Sequence, residues 1–159
     1  MLSCFSSDNI EYFSNENLSD DDISNYLRSC LIDISKKIEL PILNFDNDLT
    51  YRKKVLEEVE TPCGELKIAY IKFFKNRFTS LHTHPEFVAE LVITGNMLEQ
   101  CYEEVDNKLL FKNEIIHKSP LLIDKYCCEG SPHRVCADTE TCEVLMITLG
   151  HNKGRSIDG

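Results

Sequence analysis

From residue 50 onward the chain is a succession of nine short runs rich in β-branched and aromatic residues. They are TYRKKVLEEVE, ELKIAYIKFF, TSLHTH, FVAELVITG, MLEQCYEEV, KLLFKNEIIH, LLIDKYCC, HRVCAD and CEVLMITLG. Tight breaks separate most of them: TPCG, KNR, PE, GN, DN, KSP, EGSP and DTET. Runs this short, with turns this abrupt, leave no room for crossover helices. They dictate an antiparallel sandwich or barrel.

The only strong helical pattern lies ahead of that region, in SDDDISNYLRSCLIDISKK. Ile23, Leu27, Cys30, Leu31 and Ile34 recur at helical spacing. Ser19 and Asp22 are placed as a capping box, and Asp20 to Asp22 complement a helix N-terminus. One amphipathic helix is therefore expected over 20–37. Residues 1–18, rich in Ser, Asn, Asp and Glu, are expected to form a flexible arm, mobile or loosely docked. The remainder, 19–159, is expected to be a single domain with its barrel over about 50–150.

Charge and composition exclude several functions. The formal net charge is −10, so the basic footprint of a nucleic-acid binder is missing. Binding to an anionic membrane is disfavoured for the same reason. No apolar run approaches the roughly 18 residues of a membrane span. The N-terminus lacks the basic and apolar regions of a secretory signal. A cytoplasmic, reducing setting is expected, with the eight cysteines as free thiols rather than a disulfide framework.

The chemistry concentrates in two places. His82 and His84 sit one residue apart in HTHPEF, and alternation along a strand points both to one face. His133 follows the turn residues Gly130 and Pro132 in EGSPHRVCAD. Three imidazoles from two strands can build a metal site. Imidazole alone does not choose among iron, zinc, copper and nickel. His117 and His151 are expected at the surface, Glu86 in solvent, and Glu90 near the site as a rim or supporting residue. Adjacent Cys127 and Cys128 point to opposite faces of a strand.

His82-x-His84, Gly95 eleven residues beyond His84, and Pro132-His133 further downstream together resemble the two motifs of the cupins. The resemblance implies a small, antiparallel double-stranded β-helix barrel with a metal in its mouth. Val88 stands where many cupins carry a glutamate ligand. A three-histidine set resembles, more narrowly, the thiol dioxygenases of the cysteine dioxygenase group. Further likenesses lie in GNMLEQCYE (95–103), PHRV (132–135) and YRKKVL (51–56). The resemblance implies Fe(II) at His82, His84 and His133, with zinc or nickel as alternatives. It implies a small thiol, cysteine-like or 3-mercaptopropionate-like, oxidised by O2 to a sulfinic acid. Tyr51, Arg52 and Lys53 become the residues expected to hold the substrate, Lys53 standing where the family has an arginine. No catalytic residue is expected beyond the metal ligands. The stretch CEVLMITLGHN lacks the family's Ser-x-His-x-Tyr run, which keeps open another metal-dependent cupin enzyme (isomerase, lyase or tailoring enzyme) or a non-catalytic binding cupin. A monomer or homodimer is expected.

Overall fold

The computed structural model describes residues 7–43, 49–123, 131–152 and 154–157. Two helices precede eight strands. The helices are α1 (Ser7–Tyr12) and α2 (Asp20–Lys37). The strands are β1 (Tyr51–Thr61), β2 (Gly64–Phe74), β3 (Phe87–Thr94), β4 (Asn96–Val105), β5 (Lys108–Lys118), β6 (Leu121–Ile123), β7 (His133–Ala137) and β8 (Thr141–Gly150). They form two sheets, ordered β1-β2-β8-β3-β6 and β5-β4-β7, with antiparallel pairing throughout.

Period-two alternation explains why the larger sheet has two apolar faces. On one face Leu66, Ile68 and Tyr70 of β2, Ala89 of β3 and Leu145, Ile147 and Leu149 of β8 pack with the α2 residues Ile23, Leu27, Leu31 and Ile34. On the other face Ala69, Ile71, Phe73, Val92, Val144 and Met146 meet Met97, Val135 and Ala137 of the smaller sheet. Strand β8 is covered on both sides, so it reads as a nearly unbroken apolar run.

The helix begins as its sequence dictates. The Ser19 side chain accepts from the Asp22 backbone N–H, and the Asp22 carboxylate accepts from the Ser19 N–H. Two turns are equally local in origin. Asp106 and Asn107 both take positive φ between β4 and β5, as a two-residue hairpin requires. Gly95 turns β3 into β4 at φ +70°, where a Cβ would lie 2.1 Å from the Thr141 carbonyl oxygen.

Three expectations are corrected. The run TSLHTH forms no regular strand; it is an irregular segment tied to its neighbours by isolated bridges. The flexible arm is docked over its described part: Phe13 is buried in the α2 cluster, and Tyr12 stacks on Tyr26 with ring centroids 3.8 Å apart. Two aromatic anchors there outweigh the polar composition around them. The all-thiol expectation also fails, because buried Cys101 is disulfide-bonded. Its partner, and the Cys127–Cys128 pair, lie outside the described residues, whereas Cys30, Cys63, Cys136 and Cys142 are free. Thiol chemistry therefore no longer supports a reducing compartment. No described helix is long and apolar enough to cross a membrane.

Leu31 is fully buried where α2 meets the larger sheet. Leu31→Ala is expected to lower unfolding stability by about 2–5 kcal/mol, read from the midpoint and slope of urea denaturation. A loss below about 0.5 kcal/mol would show that the helix is not integral to the core.

Candidate metal centre

The two histidine-bearing segments meet through their backbones. His82 N–H donates to the His133 carbonyl and His133 N–H donates to the His82 carbonyl, both at 3.0 Å. Nearby, Thr79 N–H donates to the Val135 carbonyl at 2.9 Å, and Val135 N–H donates to Thr79 Oγ1 at 3.1 Å. The other edge of the histidine segment is held by the chain's C-terminal residues. Thr83 N–H donates to the Arg155 carbonyl, Ile157 N–H to the Leu81 carbonyl, and Ser156 bridges His82. Gly154 is required for this approach, since a Cβ there would lie 2.0 Å from the Thr83 carbonyl oxygen.

Through this clamp the three rings converge. Centroids of His82, His84 and His133 are 4.6–4.9 Å apart in each pairing. One ligand nitrogen from each lies within 4.8 Å of the others, and His84 Nε2 and His133 Nε2 are 2.8 Å apart. Two nitrogens at about 2.0–2.1 Å from a common ion, and at right angles around it, stand about 2.8–3.0 Å apart. The observed separation fits two adjacent positions around one ion.

The far sides of two rings fix their protons. His82 Nδ1 lies 2.8 Å from the Ser80 carbonyl, which can only accept, so Nδ1 carries the hydrogen and Nε2 presents a lone pair. His133 Nδ1 lies 2.5 Å from Glu99 Oε2, with the same consequence. Burial, reinforced by the neighbouring His133, pushes the His82 pKa down to about 4. The same two causes hold His84 well below the ordinary imidazole range. Neutral imidazoles with inward lone pairs are what a divalent metal requires. The residues present therefore fit a metal ion.

The histidines open into a cavity of about 580 Å³, ample for a small metabolite. Tyr51 and Lys53 line it from β1, facing Phe73 and Ile71 of β2 across the strand pair. Arg52 does not. It pairs with Lys72 on the opposite face of β1, as alternation requires, which corrects its expected place beside the substrate. Lys67, also on the wall, is held by Glu58 at 3.4 Å and Glu65 at 3.3 Å. Burial, with Lys67 nearby, lowers the Lys53 pKa. Glu90 is buried and lines the cavity, but it is not part of the ligand cluster. His151 is exposed at the rim and Glu86 is exposed, as expected.

Two further site residues differ from expectation. His117 is not a solvated surface group; its side chain is largely buried and its Nε2 lies 3.0 Å from Glu99 Oε1. Glu99 falls within the GNMLEQCYE likeness, yet the sequence reading gave it no role. Burial raises its pKa, but hydrogen bonds from His117 and His133 outweigh that and bring it to about 2. A signal existed: Glu99 lies between Met97 and Cys101 on the buried face of β4.

Comparison with protein-family models finds no match, and comparison with curated proteins finds none either. Solved structures do resemble this one. Recombinant oxalate oxidase in complex with glycolate superposes with a TM-score of 0.53 at 13% identity, over 73% of this chain and 59% of that one. The chain thus spans about three-fifths of that enzyme's length. An RmlC-like cupin family protein with a double-stranded β-helix fold from Methanocaldococcus jannaschii gives 0.46 at 16% identity, over 72% and 94% of the two chains. A cupin superfamily protein from Desulfitobacterium hafniense DCB-2 gives 0.44 at 14% identity, over 69% and 84%. Identities this low speak to the fold alone. The architecture, a helix ahead of a small antiparallel β-barrel, is the fold shared with the oxalate oxidase structure.

His133→Ala removes one of the three converging nitrogens. Protein purified without added metal, or reloaded anaerobically, should lose near-stoichiometric metal on this substitution, read by elemental analysis. Metal content equal to that of the unaltered protein would show that the ligand set is wrong.

Proposed function

We propose that the protein is a mononuclear non-haem Fe(II) thiol dioxygenase, oxidising a small carboxylated thiol to its sulfinic acid. The observation that carries this reading is the meeting of three imidazoles at one point of a cavity whose wall also presents Lys53. Three nitrogen ligands would leave an iron room for both a substrate and dioxygen. The expected balance is RSH + O2 → RSO2H, both oxygen atoms ending on sulfur. His82, His84 and His133 would hold the iron, which supplies the redox chemistry joining dioxygen to the thiol.

The remaining work falls to the chain's own groups. Among the described residues Lys53 makes no ion pair, so its ammonium is available to a substrate carboxylate. As a point charge it orients that carboxylate less rigidly than an arginine fork would. Tyr51 flanks the mouth. Ile71, Val135 and Met146 supply an apolar wall that limits water around the reacting sulfur. The Ser80 carbonyl and the Glu99 carboxylate keep two ring protons on the outer side of the site.

A second reading, another metal-dependent cupin enzyme acting on a small carboxylate, draws on the end of β8. The positions that face the cavity there are Met146, Thr148 and Gly150, none of which matches the histidine and tyrosine of the thiol dioxygenase pattern.

Oxygen uptake with cysteine, 3-mercaptopropionate and cysteamine tests the substrate class. The iron-loaded protein should consume O2 and release sulfinate with a carboxylated thiol. Lys53→Ala should raise KM for that thiol about tenfold or more and leave cysteamine nearly unaffected. Absence of uptake with all three thiols would remove the thiol reading and leave the second one standing.

A further inference from the structure

Strand β4 is the centre of the smaller sheet, between β5 and β7, and Glu99 is its most fully buried polar residue. Its direct partners across the ladders are Val135 on β7 and Ile115 on β5. His133 pairs with Cys101 and His117 pairs with Met97, each two residues along β4 from Glu99. Both imidazoles are therefore diagonal neighbours of one carboxylate, on opposite sides of it, within side-chain reach. The carboxylate accepts from both, at 2.5 Å from His133 Nδ1 and 3.0 Å from His117 Nε2. A carboxylate this buried persists only when its oxygens are satisfied.

We infer that Glu99 and His117 are positioning residues that act in series behind the third metal ligand: His117 holds Glu99, and Glu99 fixes the tautomer and orientation of His133. This inference rests on the metal reading of the three histidines. Its chemical basis is the acceptor count. A carboxylate offers an acceptor to each ring, so His133 can keep its proton on Nδ1 and its lone pair on Nε2. A carboxamide offers one acceptor and one donor, and the donor must face one of the two ring nitrogens. Ligand basicity falls as well, because the negative charge behind the ring is gone. His117 enters from β5, far from the metal in the hydrogen-bond chain, so its influence must pass through Glu99.

Titration of the apo protein with Co(II) alone reads both affinity and ligand field, the latter from the visible absorption bands. Glu99→Gln is expected to weaken Co(II) binding by about 10- to 100-fold and to shift those bands. His117→Leu should weaken it in the same direction, and His117→Gln, which keeps a donor near the Nε2 position, should recover most of the loss. In the double variant Glu99→Gln/His117→Leu, the second change should add little to the first, since both act through one path. Equal affinity for Glu99→Gln and the unaltered protein would overturn the inference. So would full additivity of the two changes, or His117→Gln behaving as His117→Leu does. Failure of the unaltered protein to bind Co(II) at all is a different result: it overturns the metal reading, and this inference with it. The His117 substitutions lie at the less buried end of the chain of contacts, so they remain informative if Glu99→Gln folds poorly.

Discussion

Everything in the site depends on two backbone hydrogen bonds between His82 and His133. These residues are far apart in sequence, and neither segment could aim its ring alone. The reciprocal pair locks them side by side, with the irregular 79–84 segment clamped to β7 on one edge and to residues 155–157 on the other. Each clamp is ordinary main-chain bonding of about 1 kcal/mol per bond. Their value lies in direction: they remove the freedom that would otherwise let three mutually unfavourable, partly desolvated rings part company.

The two-layer sheet supplies the rest. The larger sheet is covered by α2 on one face, so its other face can be given over partly to a cavity without leaving the barrel unsupported. Along β2 the inner face changes from Glu65 and Lys67 to Ile71 and Phe73, grading the cavity from charged to apolar. Lys53 and Tyr51 sit on the neighbouring strand at the same parity. A charged group and a drier wall within one cavity thus follow from one alternation pattern, running through two adjacent strands.

Much of this could be read from the residues. Period-two alternation and abrupt turns dictated antiparallel β structure, and the Ser19–Asp22 pair placed the helix start. The three histidines were legible as a set even though the segment holding two of them is not a strand, because a local bend still leaves residues two apart on one side. What stayed hidden depends on distant partners. Glu99 sits in an acid-rich run, and only the sheet shows that its side chain turns inward toward two rings. His117, next to Lys118, looks solvated until β4 is laid beside it. Arg52 and Lys53 are equally plausible cations until the strand phase is fixed. Phe13 anchors a segment whose composition suggests mobility, and the Cys101 disulfide reflects a pairing that no spacing reveals.

Anomalous diffraction from crystals of the metal-loaded protein would locate the ion and its ligands together. A single strong peak is expected within about 2.0–2.3 Å of one nitrogen from each of His82, His84 and His133, with its absorption edge identifying the ion. A peak elsewhere in the molecule, or a His133 ring turned away from the other two, would contradict it.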